Sequence, residues 1–232
     1  MKIRLIESLR KKRRKLREVR WALCDAIEAR AHSDQIVFID LGSNLGQGFN
    51  FFQKFYSSLK TKFILFEPNP NCRSDLNAVV RAYAAKWGKQ RIEYRMEAAS
   101  TFEGRTQFYG LDPNQGGSKS QGGSIVAEHN SSFYDAKSGS TIDIECIDFA
   151  VFLRGIERRA NTKIIVKMDI EGAEYDLLQH LINANAASLI DVLYVEFHSV
   201  YRRRSERQSL EMMEVQIIAG LEALGVKVRL WH

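Results

Sequence analysis

The stretch from Ile36 to Phe49 constrains this chain more than any other. Ile36 to Ile39 is a short apolar run without polar alternation, which reads as a strand covered on both faces. The sequence then changes abruptly to Asp40, Gly42, Asn44, Gly46 and Gly48, followed by Phe49, Phe51, Phe52 and Phe55 on the start of a helix. A buried strand, a glycine turn and a helix make the opening unit of a doubly wound α/β sheet, where ligands bind at strand carboxyl ends. Glycine lets the backbone turn sharply and admits a ligand where a Cβ would clash. The glycines fall at 42, 46 and 48, off the spacing of the dinucleotide fingerprint, so a purely structural tight turn stays open as an alternative.

The whole chain, 232 residues with 45% apolar composition, fits one α/β domain with an extension. We place a basic helical extension at residues 1–32 and the domain at 33–232. No apolar run reaches the roughly 18 residues of a membrane span. The basic N-terminus lacks the apolar stretch of a secretory leader. Cys24, Cys72 and Cys146 lie far apart, with neither disulfide nor zinc spacing. A cytoplasmic location is therefore expected. The net charge of +6 is concentrated: the first twenty residues hold ten Lys or Arg against Glu7 and Glu18, leaving the remainder slightly acidic.

Residues 2 to 31 contain no Gly or Pro and predict one long helix. Leu9, Leu16 and Leu23 recur every seven residues beside Leu5, Val19 and Ala26, giving a narrow apolar seam. A basic amphipathic helix can lie on an anionic membrane or glycolipid surface, grip nucleic acid, or pair with another helix. It can equally be a solvated helix whose Trp21 to Ile27 end packs on the domain. Peripheral membrane contact is one open partner, nucleic acid is less favoured, and oligomeric state is left open.

Further strands are predicted at Lys62 to Phe66, Arg91 to Met96, Ile164 to Met168, Val192 to Phe197 and Val226 to Trp231, with helices between them. This alternation implies a mostly parallel sheet. Residues 105 to 146 differ. Short strands at Thr106 to Tyr109, Ser124 to Ala127 and Thr141 to Cys146 are separated by Gly- and Ser-rich loops, including Gly116, Gly117, Gly122, Gly123 and Gly139, of the length found in lids. Asp148 is expected to cap a short helix.

Asp40, Glu67, Glu97 and Asp169 stand at four strand ends and so fall along one rim of a parallel sheet. Glu67 lies 25 residues after Gly42, near the offset of a ribose-binding carboxylate. Its two oxygens match a vicinal diol. No phosphate-binding Gly-Lys-Ser/Thr follows the glycines, so a ligand with a ribose and no pyrophosphate is favoured, and S-adenosyl-L-methionine fits. Lys167 and Asp169 share a strand face, as do Glu196 and His198 on the next strand. Burying such groups is costly unless they pair or face a wet crevice. Glu171 and Glu174 extend the acidic cluster, and for Glu174 the favoured reading is a helix-dipole contact.

Three motifs now carry a resemblance: Val37-Phe-Ile-Asp-Leu-Gly-Ser-Asn-Leu-Gly-Gln-Gly48, Phe66-Glu-Pro-Asn-Pro70 and Lys167-Met-Asp-Ile-Glu-Gly-Ala-Glu-Tyr-Asp-Leu-Leu178. The chain resembles the FkbM family of S-adenosylmethionine-dependent methyltransferases over roughly residues 35 to 200. The resemblance implies a class I, Rossmann-like fold: a mostly parallel seven-stranded sheet with one reversed edge strand, flanked by helices. One strand rather than two is visible after the fifth. It also implies O-methylation of a small-molecule or glycan hydroxyl. By that likeness Asp40, Gly42, Ser43, Asn44 and Gly46 wrap the methionine and ribose part. Glu67, with Pro68 and Asn69, holds the ribose hydroxyls, and Glu97 and Ala98 border the adenine. Asp169 is the first candidate base and His198 the second, with Glu171 beside them. A Mg²⁺ site of Asp169 with Glu171 or Glu196 is the alternative to the metal-free reading we favour.

Overall fold

The computed structural model describes residues 2–111, 122–127, 129 and 141–231. In chain order the elements are α1 (Lys2–Ala31), β1 (Gln35–Leu41), α2 (Gln47–Tyr56), β2 (Thr61–Phe66), α3 (Arg73–Trp87) and β3 (Ile92–Arg95). Then follow β4 (Ala98–Ser100), β5 (Gly104–Phe108), β6 (Ile142–Asp148), α4 (Phe149–Gly155) and β7 (Thr162–Met168). The chain closes with α5 (Glu174–Asn183), β8 (Val192–Val195), α6 (Arg204–Ala223) and β9 (Lys227–Leu230).

Six strands form the main sheet in the order β3-β2-β1-β7-β8-β9. Every neighbouring pair is parallel. The strand order reverses between β1 and β7, which is the switch point where such sheets open a crevice. The seven-stranded sheet with a reversed edge strand is therefore corrected: among the described residues the main sheet has six strands and no reversed one. After α6 the chain turns at Gly225 (φ +86°) and enters β9 at Lys227, pairing at once with Val192 of β8. β9 thus takes the place directly beside β8.

β1 shows how the period of two divides the core. Val37, Ile39 and Leu41 face α4, α5 and α6 in one apolar cluster, with Val166, Met168, Leu178 and Leu193. Ile36 and Phe38 face α1, α2 and α3 in the other, with Phe49, Phe52, Phe63 and Ile165. Buried on both sides, these strands need no polar alternation.

The predicted third strand is shorter than expected, because the chain leaves the main sheet at Arg95. It enters a separate three-stranded sheet, β4-β6-β5, at Ala98. The strand expected over Ser124 to Ala127 is only a single antiparallel bridge between Tyr109 and Ser124. Gly116, Gly117 and Gly139 of the proposed lid lie outside the described residues. Asp148 does cap α4, accepting from the amides of Ala150 and Val151.

Helix α1 buries a different face from the one its leucines suggest. Leu9, Leu16, Leu23 and Ile27 are exposed, whereas Glu18, Ala22, Asp25, Ala26 and Ala29 are buried. Three alanines on one stripe bring the helix close to the sheet, where a leucine stripe would hold it off. Asp25 then reaches the far edge. It accepts a two-pronged contact from Arg229 at 3.0 and 3.1 Å and a 2.9 Å hydrogen bond from Tyr194 Oη, itself 3.1 Å from Tyr56 Oη. Ala22, Ala26 and Ala29 thus belong to the second core cluster, with Trp21 packed against it. Among the described residues, no helix is long and apolar enough to cross a membrane.

Candidate active site

At the switch point the buried Lys167 joins the ends of β1 and β7. Its ammonium lies 3.2 Å from Asp40 and 3.3 Å from Asp169, and donates to the carbonyl oxygen of Gly42 at 2.9 Å. Burial would lower the Lys167 pKa, but Asp169 and Asp40 outweigh it and raise it, so the ammonium is retained. Burial pushes the Asp40 carboxyl up, against the pull of Lys167. Asp40 is fully buried behind the glycine turn. Its side chain pairs with Lys167.

The glycines of the turn answer to this arrangement. A Cβ at Gly42 (φ +73°) would stand 1.8 Å from the carbonyl oxygen of Asp169. One at Gly48 would stand 3.1 Å from Asp40 Oδ2 and 3.3 Å from Lys167 Cε. The turn is thus glycine-rich because β1 and β7 exit almost in contact. Gly46 (φ +87°) starts α2 against Val79. Ser43 is buried and donates to the Asp40 carbonyl at 2.9 Å.

On the other flank, Glu67 is buried at the end of β2. One oxygen accepts from the Asn44 amide at 2.8 Å and the other from the Asn69 amide at 2.9 Å. Asn44 sits at φ +47°, a left-handed conformation that asparagine tolerates. Burial pushes the Glu67 carboxyl up to about 7, although both amides pull it down. Each carboxylate oxygen has a second lone pair, so a diol can still be bound. Glu67, Pro68, Asn69, Glu97, Ala98 and Asn44 line one cavity. Glu97 is held there by Arg95 at 2.8 Å.

The third group gathers where β7 and β8 end. Glu174, fully buried at the head of α5, accepts from the amides of Ile170 (3.0 Å) and Gly172 (2.9 Å) and lies 2.7 Å from His198 Nδ1. The other ring nitrogen of His198 faces Asp169 and Glu171, each at 3.5 Å. Burial would lower the His198 pKa, but Glu174 foremost, then Glu171 and Asp169, lift it to about 10. His198 therefore carries its proton at neutral pH and is a poor base there. Glu196, half-buried beside it, is pushed up to about 7 by burial and by Asp169. A carboxyl poised near neutrality is suited to accept a proton. Glu171 adopts φ +54°, costly backbone for a glutamate, and lies 3.0 Å from the buried His129.

Part of the expected rim lines the first cavity. Asp40 and Gly46 support the turn from behind, while Gly42, Asn44, Glu67, Pro68, Asn69, Glu97, Ala98, Asp169 and Glu171 come together around the crevice. Sequence reasoning gave Glu174 to the helix dipole and Glu196 only to a metal. For Glu196 the signal was its shared strand face with His198. His129 had none beyond being a histidine in a glycine-rich loop. Asp169, Glu196 and His198 can each offer an atom within 4.8 Å of the others, close enough for a cation.

A second cavity, of about 620 Å³, adjoins the first and shares Gly42, Asn44, Asp169 and Glu171 with it. Glu196 and Lys167 face this second space. Two ligands placed in the two cavities would meet beside Asp169.

The family model described as the methyltransferase FkbM domain matches residues 40–224. No curated protein matches the sequence. A crystal structure of methyltransferase FkbM from Methylobacillus flagellatus KT is similar over 81% of this chain, at 18% identity and a TM-score of 0.49. The match spans 38% of that protein's length, a likeness too distant to speak about the site.

Proposed function

This chain belongs to the FkbM methyltransferase family, and from that membership we propose that it transfers a methyl group from S-adenosyl-L-methionine to a hydroxyl oxygen of a sugar, glycan or glycoconjugate. The observation that carries the reading is the pair of adjoining cavities that meet at Asp169. The first has a buried carboxylate for a ribose diol and an apolar wall at Ala98 and Ala99, suited to a nucleoside without a pyrophosphate. The second opens onto four carboxylates, Glu18, Asp169, Glu171 and Glu196, which suit a polyhydroxyl acceptor through accepted hydrogen bonds.

The cofactor, when bound, supplies an activated methyl on a sulfonium. What this chain must add is alignment and a place for the proton. Asp169, held by Lys167 from behind and facing His198, accepts the hydrogen bond of the incoming hydroxyl and fixes its direction. Glu196, with its carboxyl near 7, takes the proton as the new oxygen–carbon bond forms. His198 keeps its own proton and balances the carboxylates around it.

Calorimetric titration with S-adenosylhomocysteine tests the reading. The parent protein is expected to bind, and Glu67→Ala to weaken binding at least about tenfold by removing a charged hydrogen-bond acceptor. Affinity should also fall as the pH drops below about 7, where Glu67 gains a proton. No binding by the parent would sink the proposal.

A further inference from the structure

We infer that the acceptor carries an anionic group, a phosphate, sulfate or carboxylate, which Lys11, Arg14 and Lys15 of α1 hold while its hydroxyl faces Asp169. The inference rests on the methyltransferase reading above and names the substrate class of that site. Its basis is the second cavity. On the α1 side it is lined by Lys11, Arg14 and Lys15 with Glu18, and on the side of the β7 and β8 ends by Asp169, Glu171 and Glu196 with Lys167. α1 lies outside the family match at 40–224, so this wall is a feature of this chain rather than of the matched domain.

The three cations are more than a solvated helix face. Ala22, Ala26 and Ala29 dock the helix, and Asp25 ties it to Arg229, so the residues a few turns earlier are carried over the crevice mouth. Arg14 approaches Glu18 at 3.8 Å. Among the described residues, no acid forms an ion pair with Lys11 or Lys15. A cavity of about 620 Å³ also lies within the range of roughly 300 to 1,000 Å³ typical of small-molecule sites.

Three cations against one acid on the α1 side, and three acids against a Lys167 already paired with Asp40 and Asp169 on the other, set a direction. An anion is drawn to α1 and repelled by the carboxylates, whereas a hydroxyl can donate to a carboxylate at no such cost. An acceptor with its anionic group at one end and a hydroxyl at the other therefore enters in one orientation, with the hydroxyl toward the methyl donor. A reversed acceptor would place two anions together, a discrimination through repulsion as much as attraction.

The test titrates inorganic phosphate, glucose 6-phosphate and glucuronate, with glucose as the neutral control, into the protein loaded with S-adenosylhomocysteine. The same titrations are run on the K11E/R14E/K15E variant, and sedimentation with phosphatidylcholine vesicles is compared with and without phosphatidylglycerol. Binding of an anion over glucose is expected, weakened at least about tenfold in the variant, with S-adenosylhomocysteine affinity unchanged. Unchanged cofactor affinity also shows that the variant is folded. Flat titrations with all three anions on cofactor-loaded protein overturn the inference. Loss of S-adenosylhomocysteine binding in the variant overturns it too, since the cations would then serve the cofactor's own carboxylate. Binding to phosphatidylglycerol vesicles without binding of any soluble anion replaces the acceptor by a membrane surface and overturns it as well. A parent protein that binds no S-adenosylhomocysteine fails the methyltransferase reading itself.

Discussion

His198 Nδ1 lies 2.7 Å from a carboxylate oxygen of Glu174, and both side chains are buried. A histidine lifted from 6.5 to about 10 adds stability that is whole below 6.5 and lost as the pH rises through about 10. Glu174→Gln should therefore lower the melting temperature most at acidic to neutral pH, with a loss of about 3–5 kcal/mol for a broken buried pair. The gap to the parent should narrow as the pH approaches 10. Thermal melts across pH read this directly, and a gap independent of pH would mean that His198 is neutral in the fold.

Glu196 places a proton acceptor near neutrality. Turnover should climb with pH and level off above about 7. Glu196→Gln should reduce turnover by about 10²- to 10⁴-fold, the usual worth of a positioned base, while S-adenosylhomocysteine affinity holds. Asp169→Asn should also keep the cofactor but lose turnover. A pH–rate profile unchanged in Glu196→Gln would move the base elsewhere.

Gly42 and Gly155 form a matched pair for mutation. At Gly42 a Cβ meets the Asp169 carbonyl oxygen at 1.8 Å in left-handed backbone, so Gly42→Ala should cost at least about 3 kcal/mol. At Gly155, the last residue of α4, nothing lies within 4 Å of the added atom, and alanine there should change stability by no more than about 1 kcal/mol, in the stabilising direction. Denaturant midpoints of the two variants should separate clearly.

Asp25 anchors α1. Burial works to raise its carboxyl, but the hydrogen bonds from Arg229 and Tyr194 hold it below the usual range. Asp25→Ala leaves Arg229 facing a gap and should cost about 3 kcal/mol. The helix should then lift from the sheet, and trypsin should cut within residues 10–20 faster than in the parent. Equal cleavage rates would show that the alanine stripe alone holds α1.

How far these features could be read beforehand depended on their periodicity. The buried strands followed from unbroken apolar runs, and the rim holding Glu67, Glu97 and Asp169 from polar residues at strand ends. What stayed hidden were contacts between segments far apart in sequence. The pairing of Asp40 was one of them, because Lys167 lies 127 residues away. At Gly42, likewise, it is the carbonyl of Asp169 that excludes a side chain. The leucine seam of α1 misled for another reason: seven-residue spacing marks a stripe without saying whether anything covers it, and the sheet took the alanine side. The same helix also brought Lys11, Arg14 and Lys15 to the crevice, which no spacing within α1 could have shown.

One wall of the acceptor cavity is supplied by a single helix that precedes β1, while the carboxylates opposite come from the ends of β7 and β8. Recognition and chemistry are thus written in separable parts of the gene. Exchanging a few codons for the exposed turns of α1 would re-address the enzyme to a different acceptor and leave the machinery of transfer as it stands.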